Sequence, residues 1–188
     1  MNFANKITIF RILSVPFFIT TLIYYIPERD YLRVIALLIF ILAIISDAID
    51  GYIARTWKQK TEAGAILDPL ADKVLLITAF VFVYKISNHF FDVKLPLWVV
   101  LIVIFRDTIL LLGGAILVIA KQENKIRPTW YGKISTFFQM ITIVSVLLLF
   151  KYSYVLWYLA ITFTIISGIG YLKKGIVMFN SQPQNKSH

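Results

Sequence analysis

The chain is a succession of apolar stretches of roughly bilayer length, separated by short polar links. A helix that crosses a membrane needs about 20 predominantly apolar residues, and runs such as 34–45 and 74–83 form the centres of such segments. With 188 residues, 59% of them hydrophobic, a soluble fold has too little polar side chain to cover its surface. The expected fold is an all-α integral membrane domain with six transmembrane helices, over residues 8–26, 31–55, 65–86, 97–120, 134–150 and 155–171. One domain then covers residues 1–179, and the polar segment 180–188 is expected to be a disordered tail. The first apolar run carries Arg11, Ser14 and Pro16 with no small-residue cleavage site after it, so it is read as a membrane helix and not a cleaved leader.

Lysine and arginine placement orients this bundle. With the N-terminus on the cytoplasmic side, twelve of the 19 cationic residues fall on that side, five on the other, and Lys73 and Arg106 within spans. Cytoplasmic loops accumulate Lys and Arg, so both termini are predicted to be cytoplasmic. The net charge of +9 is thereby explained by topology and anionic lipid, with no need for a nucleic-acid partner. The chain has no cysteine and only two histidines, His89 in a loop and His188 at the end, which excludes thiol chemistry and disfavours histidine-based metal sites. The size and simplicity of the chain suggest a bacterial plasma membrane.

Four aspartates break this apolar pattern. Asp47, Asp50, Asp68 and Asp72 are four of only ten acidic residues and lie within 26 positions. A carboxylate near hydrocarbon is costly unless it faces a cavity, a partner or an ion. On a helix, Asp47 and Asp50 share a face with Gly51 and Arg55, and Gly64, Asp68 and Asp72 share another. Two such helices side by side converge four carboxylates near the cytoplasmic surface. Divalent cations remove the repulsion, and an all-oxygen ligand set suits Mg²⁺ or Mn²⁺, two ions in the arrangement common in phosphoryl chemistry. Gly51 and Gly64 leave room for a phosphorylated ligand near backbone, and Arg55 offers a fork for phosphate oxygens. The competing explanation is structural: the acids pair with Lys73, Arg11, Arg55 and Arg106 as salt bridges, which accounts for one or two of the four. Pro69, next to Asp68, is expected to bend or start its helix.

The pattern Asp47-x2-Asp50-Gly51-x2-Ala54-Arg55-x8-Gly64-x3-Asp68-x3-Asp72 resembles the CDP-alcohol phosphatidyltransferase signature at all eight fixed positions. Upstream, Asn5-x2-Thr8-x2-Arg11 resembles the segment before the first helix in that family, with Ala4 where a proline is common. The resemblance implies a six-helix membrane enzyme, commonly a homodimer. Its acceptor hydroxyl attacks the diacylglycerol-side phosphate of CDP-diacylglycerol and CMP leaves. It further implies that Asp47, Asp50, Asp68 and Asp72 hold the metals, with Asp72 also the general base. Gly51, Ala54, Arg55 and Gly64 would line the CDP site, supported by Asn5, Thr8 and Arg11.

The acceptor is read from cations. Lys125, Arg127 and Lys133 in or beside the loop 121–133, and Arg106 in the fourth helix, suit a phosphate-bearing acceptor such as glycerol 3-phosphate, giving phosphatidylglycerophosphate. Lys121, Lys125 and Arg127 also serve topology. Against that acceptor, Arg106-Asp107-Thr108 followed by Gly113-Gly114, with Lys133 and Thr136, looks like the cardiolipin synthases of the superfamily, which take phosphatidylglycerol. The glycine pair is expected to allow close helix packing or dimerisation, and Trp98, Trp130, Tyr131, Trp157 and Tyr158 to anchor span ends at the interface. A divalent-cation transporter is the alternative from another class. It would need acids along a path across the membrane, whereas these lie toward one side.

Overall fold

The computed structural model describes the backbone of residues 3–57, 62–119 and 130–180, and the side chains of 9–49, 71–114, 130–171 and 173. Among the described residues there are six α-helices and no strand: α1 Phe3–Ile23, α2 Tyr31–Trp57, α3 Glu62–Phe90, α4 Leu97–Ile119, α5 Trp130–Leu147 and α6 Ser153–Asn180. Neighbours follow a ring, α1 to α2 to α5 to α6 to α4 to α3 and back to α1, with α3 also meeting α5 across the middle.

Four helices are long and apolar enough to cross a membrane, over Tyr31–Ile49, Ala71–Phe90, Leu97–Gly114 and Ser153–Tyr171, with a shorter apolar segment at Ile9–Ile23. The protein is an integral membrane protein. Its core is small and tightly filled: Phe18, Ala36, Phe40, Ala43, Ala79, Phe80 and Val83 are fully buried where α1, α2 and α3 meet. Phe17, Leu42, Phe105 and Leu112 face outward, as lipid-facing residues must where the surrounding solvent is as apolar as the core. α5 is not among the long apolar spans because its buried face carries Ser135, Gln139, Thr142 and Ser145.

Several helix ends depart from expectation for backbone reasons. α1 stops at Ile23, not residue 26, because Ile26 is held extended (φ −139°, ψ 154°) ahead of Pro27, whose ring disfavours helix at the preceding residue. α5 stops at Leu147, not 150, because Leu149 adopts a left-handed conformation with φ 56°. The Phe150 amide then bonds the Ser145 carbonyl at 2.9 Å and the Leu149 amide the Val146 carbonyl at 3.0 Å, the paired bonds of a Schellman cap, made with leucine where glycine is usual. α3 runs from Glu62 to Phe90 with Pro69 inside it, so Pro69 does not start the helix. α6 continues to Asn180, beyond the expected end at 171, which moves Asn180 out of the tail; residues 181–188 lie outside the described set.

At the end of the bundle where α2 begins, Asp30 accepts from Arg33 Nε at 2.7 Å and Nη2 at 2.6 Å, while Arg33 Nη1 donates to the Leu147 carbonyl at the end of α5. The Arg33 hydrogen bonds hold the Asp30 carboxyl below the ordinary carboxylate range, and burial pushes the neighbouring Tyr25 phenol up. One arginine thus ties the start of α2 to an orphan carbonyl of α5.

Candidate functional site

α1, α2 and α3 each bring one charged side chain to a common point. Arg11 is 1% exposed. Its Nη2 lies 2.8 Å from Asp47 Oδ1 on α2, an ion pair without the alignment of a hydrogen bond, and its Nη1 donates to Asp72 Oδ1 on α3. Ser14 Oγ donates to the Arg11 carbonyl at 2.7 Å within the same helix. Phe40, Ala43, Ile44, Leu75, Leu76 and Met140 wall this charged cluster, leaving about 10 Å³ beside it, room for about one water. Asp47 and Asp72 remain about a third exposed, and each turns its Oδ1 toward Arg11. Part of the structural explanation for the acids is therefore observed: Arg11 serves two of them.

The same geometry bears on metal binding. Two carboxylates from two helices aim at a single cationic group, an arrangement a divalent ion with oxygen ligands also requires. Asp47 and Asp72 supply oxygen ligands of the type such an ion takes; among the described residues they are two, and no group of three or more acidic or histidine side chains forms. Asp50, Gly51, Ala54 and Arg55 lie on the same helix as Asp47, and Gly64 and Asp68 on the same helix as Asp72. Their side-chain surroundings, like those of Asn5 and Thr8 on α1, lie outside the described residues, as do Lys125 and Arg127.

A second charged cluster begins one residue further along α3. Lys73 Nζ lies 2.8 Å from Asp107 Oδ1 on α4, and Arg106 Nη1 donates to the same oxygen at 2.6 Å. Arg106 Nη2 reaches across to Ser167 Oγ on α6 at 2.9 Å. Asp107 is fully buried and Arg106 is 7% exposed. Beside them, Gln139 Nε2 donates to Thr164 Oγ1 at 3.0 Å, and Ser135 and Thr164 hydroxyls share a 2.8 Å bond between α5 and α6. Among the described residues, the ion-pair partner of Lys73 is Asp107. The sequence signal for this cluster was Asp107 itself, an acid within an apolar span, which requires a buried cationic partner.

Of the expected acceptor cations, Arg106 is interior and Lys133 on α5 is exposed. Among the described residues nothing lies within 4 Å of a Cβ added at Gly113 or Gly114, so the glycine pair is not closely packed by any of them. Trp157 is buried and not an interfacial anchor, while Trp98, Trp130, Tyr131 and Tyr158 are exposed. Between α4 and α6 an apolar groove of about 530 Å³ runs from Trp98 to Tyr171, with Arg106 and Thr164 in its wall.

The profile of the family described as CDP-alcohol phosphatidyltransferase matches residues 1–166. A CDP-diacylglycerol--glycerol-3-phosphate 3-phosphatidyltransferase of Haemophilus influenzae is 36% identical over 190 residues, covering 96% of this chain and 98% of that protein. A probable phosphatidylglycerophosphate synthase of Mycobacterium tuberculosis is 33% identical, covering 93% of this chain and 82% of its own length. A protein of Sodalis glossinidius with the same name as the Haemophilus one is 34% identical over 78% of this chain and 77% of its own.

Proposed function

Because the chain belongs to the CDP-alcohol phosphatidyltransferase family, a family of transferases and not of transporters, we propose that it moves a phosphatidyl group from CDP-diacylglycerol to glycerol 3-phosphate, releasing CMP and forming phosphatidylglycerophosphate. The observation that carries this reading is the polarised interior of the bundle. Arg11 with Asp47 and Asp72 sums formally to −1, and Lys73 with Arg106 and Asp107 to +1, the two joined through the Asp72–Lys73 peptide. An acidic side suits cations that bind a diphosphate. A basic side suits an anionic acceptor.

In the step itself, the acceptor hydroxyl oxygen forms a bond to the diacylglycerol-side phosphorus. The bond from that phosphorus to the CMP oxygen breaks, and the hydroxyl proton passes to a carboxylate. Asp72 is that carboxylate: Arg11 fixes one of its oxygens, and the residue stands between the two charged clusters. Asp47, Asp50, Asp68 and Asp72 would hold Mg²⁺ or Mn²⁺, two ions in this reading, which supply neutralising charge to the diphosphate. Asn5, Thr8, Arg11, Gly51, Ala54, Arg55 and Gly64 would line the CDP side, and Arg106 the acceptor side, with Lys133, Arg127 and Lys125 toward its mouth. Six spans, both termini and the site on the cytoplasmic face of a bacterial plasma membrane, and a homodimer complete the reading.

One observation favours a second acceptor. The α4–α6 groove is apolar, opens on the lipid-facing side and has Arg106 in its wall, so phosphatidylglycerol, giving cardiolipin, is the rival product. The test is purified protein with CDP-diacylglycerol and Mg²⁺, offered each acceptor separately, with CMP and lipid products measured. Phosphatidylglycerophosphate from glycerol 3-phosphate is expected, and chelation with EDTA should stop it. Cardiolipin alone would overturn the acceptor assignment.

A further inference from the structure

We propose that Asp107 is a positioning residue for the acceptor: its single buried carboxylate aims Lys73 and Arg106 as a two-cation grip for a phosphate monoester. The inference rests on the glycerol 3-phosphate reading above and adds Lys73, Asp107 and Ser167 to it.

The geometry is specific. One oxygen, Asp107 Oδ1, takes the Arg106 Nη1 hydrogen bond at 2.6 Å and sits 2.8 Å from Lys73 Nζ, so the two cationic heads flank one atom. Ser167 Oγ holds the far nitrogen of the guanidinium at 2.9 Å. The guanidinium is therefore pinned on two sides by α4 and α6. Donor capacity remains. Arg106 Nε and Lys73 Nζ are buried and have no aligned hydrogen-bond acceptor among the described residues. Two cations and one anion leave a formal +1 in a largely buried setting, which is unfavourable until an anion completes it. A phosphate monoester supplies charge and several acceptor oxygens together, and a guanidinium beside an ammonium matches them.

Placement ties the grip to the reaction. Lys73 follows Asp72 on α3, so an acceptor phosphate held by Lys73 and Arg106 sits beside the carboxylate proposed to take the hydroxyl proton. Asp107 itself need not touch the substrate. Without it, two like charges share a buried site with nothing to hold them together.

The experiment uses the full chain in detergent or vesicles. KM and kcat are measured for glycerol 3-phosphate and for CDP-diacylglycerol in wild type, Asp107→Asn, Asp107→Glu and Ser167→Ala, with size-exclusion profile and thermal melt as folding controls. Asp107→Asn should raise KM for glycerol 3-phosphate about tenfold or more, since hydrogen bonds to charged groups are lost, and leave KM for CDP-diacylglycerol within about twofold. Asp107→Glu should recover part of that loss. Ser167→Ala, a smaller change, should raise the same KM about threefold, and it decides the matter if Asp107→Asn does not fold. Glycerol 3-phosphate should also raise the melting temperature of wild type more than that of either variant. Folded variants with an unchanged KM for glycerol 3-phosphate, or with both KM values rising together, would overturn the grip. A wild type that turns over phosphatidylglycerol but not glycerol 3-phosphate would instead overturn the acceptor reading.

Discussion

Replacing Arg11 by glutamine removes the one described cation shared by Asp47 and Asp72 while keeping most of the side-chain volume. Taking one partner from a fully buried ion pair costs about 3–5 kcal/mol, because the other charge is left without compensation. Here the arginine is 1% exposed but the carboxylates are 37% and 30% exposed, so water offsets part of that loss. Two pairs are broken at once, and the two carboxylates then repel across the gap that Arg11 filled. About 2–3 kcal/mol is the resulting expectation for Arg11→Gln, toward the low end of the buried range. In a protein of this length that corresponds to a fall of about 5–10 °C in melting temperature. The assay is a thermal melt of purified protein in one detergent, with and without Mg²⁺. Arg11→Lys should fall between, since an ammonium keeps the charge but lacks the planar fork that reaches both acids. Added Mg²⁺ should stabilise Arg11→Gln by more degrees than it stabilises wild type, because the ion supplies the charge the substitution removed. A melting temperature of Arg11→Gln within about 1 °C of wild type would refute the ion-pair reasoning. An equal Mg²⁺ effect in both proteins would refute the convergence of Asp47 and Asp72 on a cation.

Four further substitutions test other claims. Asp72→Asn and Asp68→Asn should each lower CMP release by about 100-fold or more with unchanged size-exclusion behaviour; full activity in the Asp72 variant would remove it as proton acceptor. Leu149→Gly should raise stability by about 1 kcal/mol, because the left-handed φ of 56° at the α5 cap is costly for leucine and free for glycine; a lowered melting temperature would mean the leucine side chain outweighs that strain. Asp30 has a folded-state pKa depressed chiefly by the Arg33 hydrogen bonds, so its contribution is present above the ordinary carboxylate pKa of about 3.9 and is lost as pH falls through the lower folded value. The Asp30 side chain is half exposed, which limits the effect to about 0.5 kcal/mol; melts of Asp30→Asn and wild type should differ most near neutrality and converge as pH falls below the depressed folded-state value.

Hydropathy located the six described α-helices, four of them as bilayer-length apolar runs, which have few alternatives to helix. Helix ends were legible only where a local backbone rule acts. Pro27 determines the conformation of Ile26, but the end was placed by the last apolar residue instead. No residue type announces Leu149, since its left-handed cap uses a side chain that ordinarily avoids that region. α6 runs past the expected span end at 171 to Asn180 because a helix, once nucleated, continues through Lys173 and Lys174, which break the apolar run. In the site, the spacing of the signature acids showed which would share a helix face. It did not show how the helices are rotated against one another, and that rotation decides partners. Arg11 and Lys73 were both candidate partners for the acids, yet Arg11 meets Asp47 and Asp72 while Lys73 turns to Asp107 on α4.

That division has a physical consequence. Three cations and three anions in the described interior cancel formally, which allows six charged groups to be held within an apolar bundle. A fully paired set would be inert, like a buried salt bridge that could be replaced by hydrophobic residues at little cost. Among the described side chains the formal charge differs on either side of the Asp72–Lys73 peptide, −1 for Arg11 with Asp47 and Asp72 and +1 for Lys73 with Arg106 and Asp107. Each imbalance is unfavourable alone and is relieved by a ligand of opposite sign, so binding a cation on one side and an anion on the other restores local neutrality in both. On the proposed function, that separation keeps the acceptor anion apart from the diphosphate side and the diphosphate apart from the acceptor cations, with Asp72 and Lys73 adjacent on α3 at the boundary.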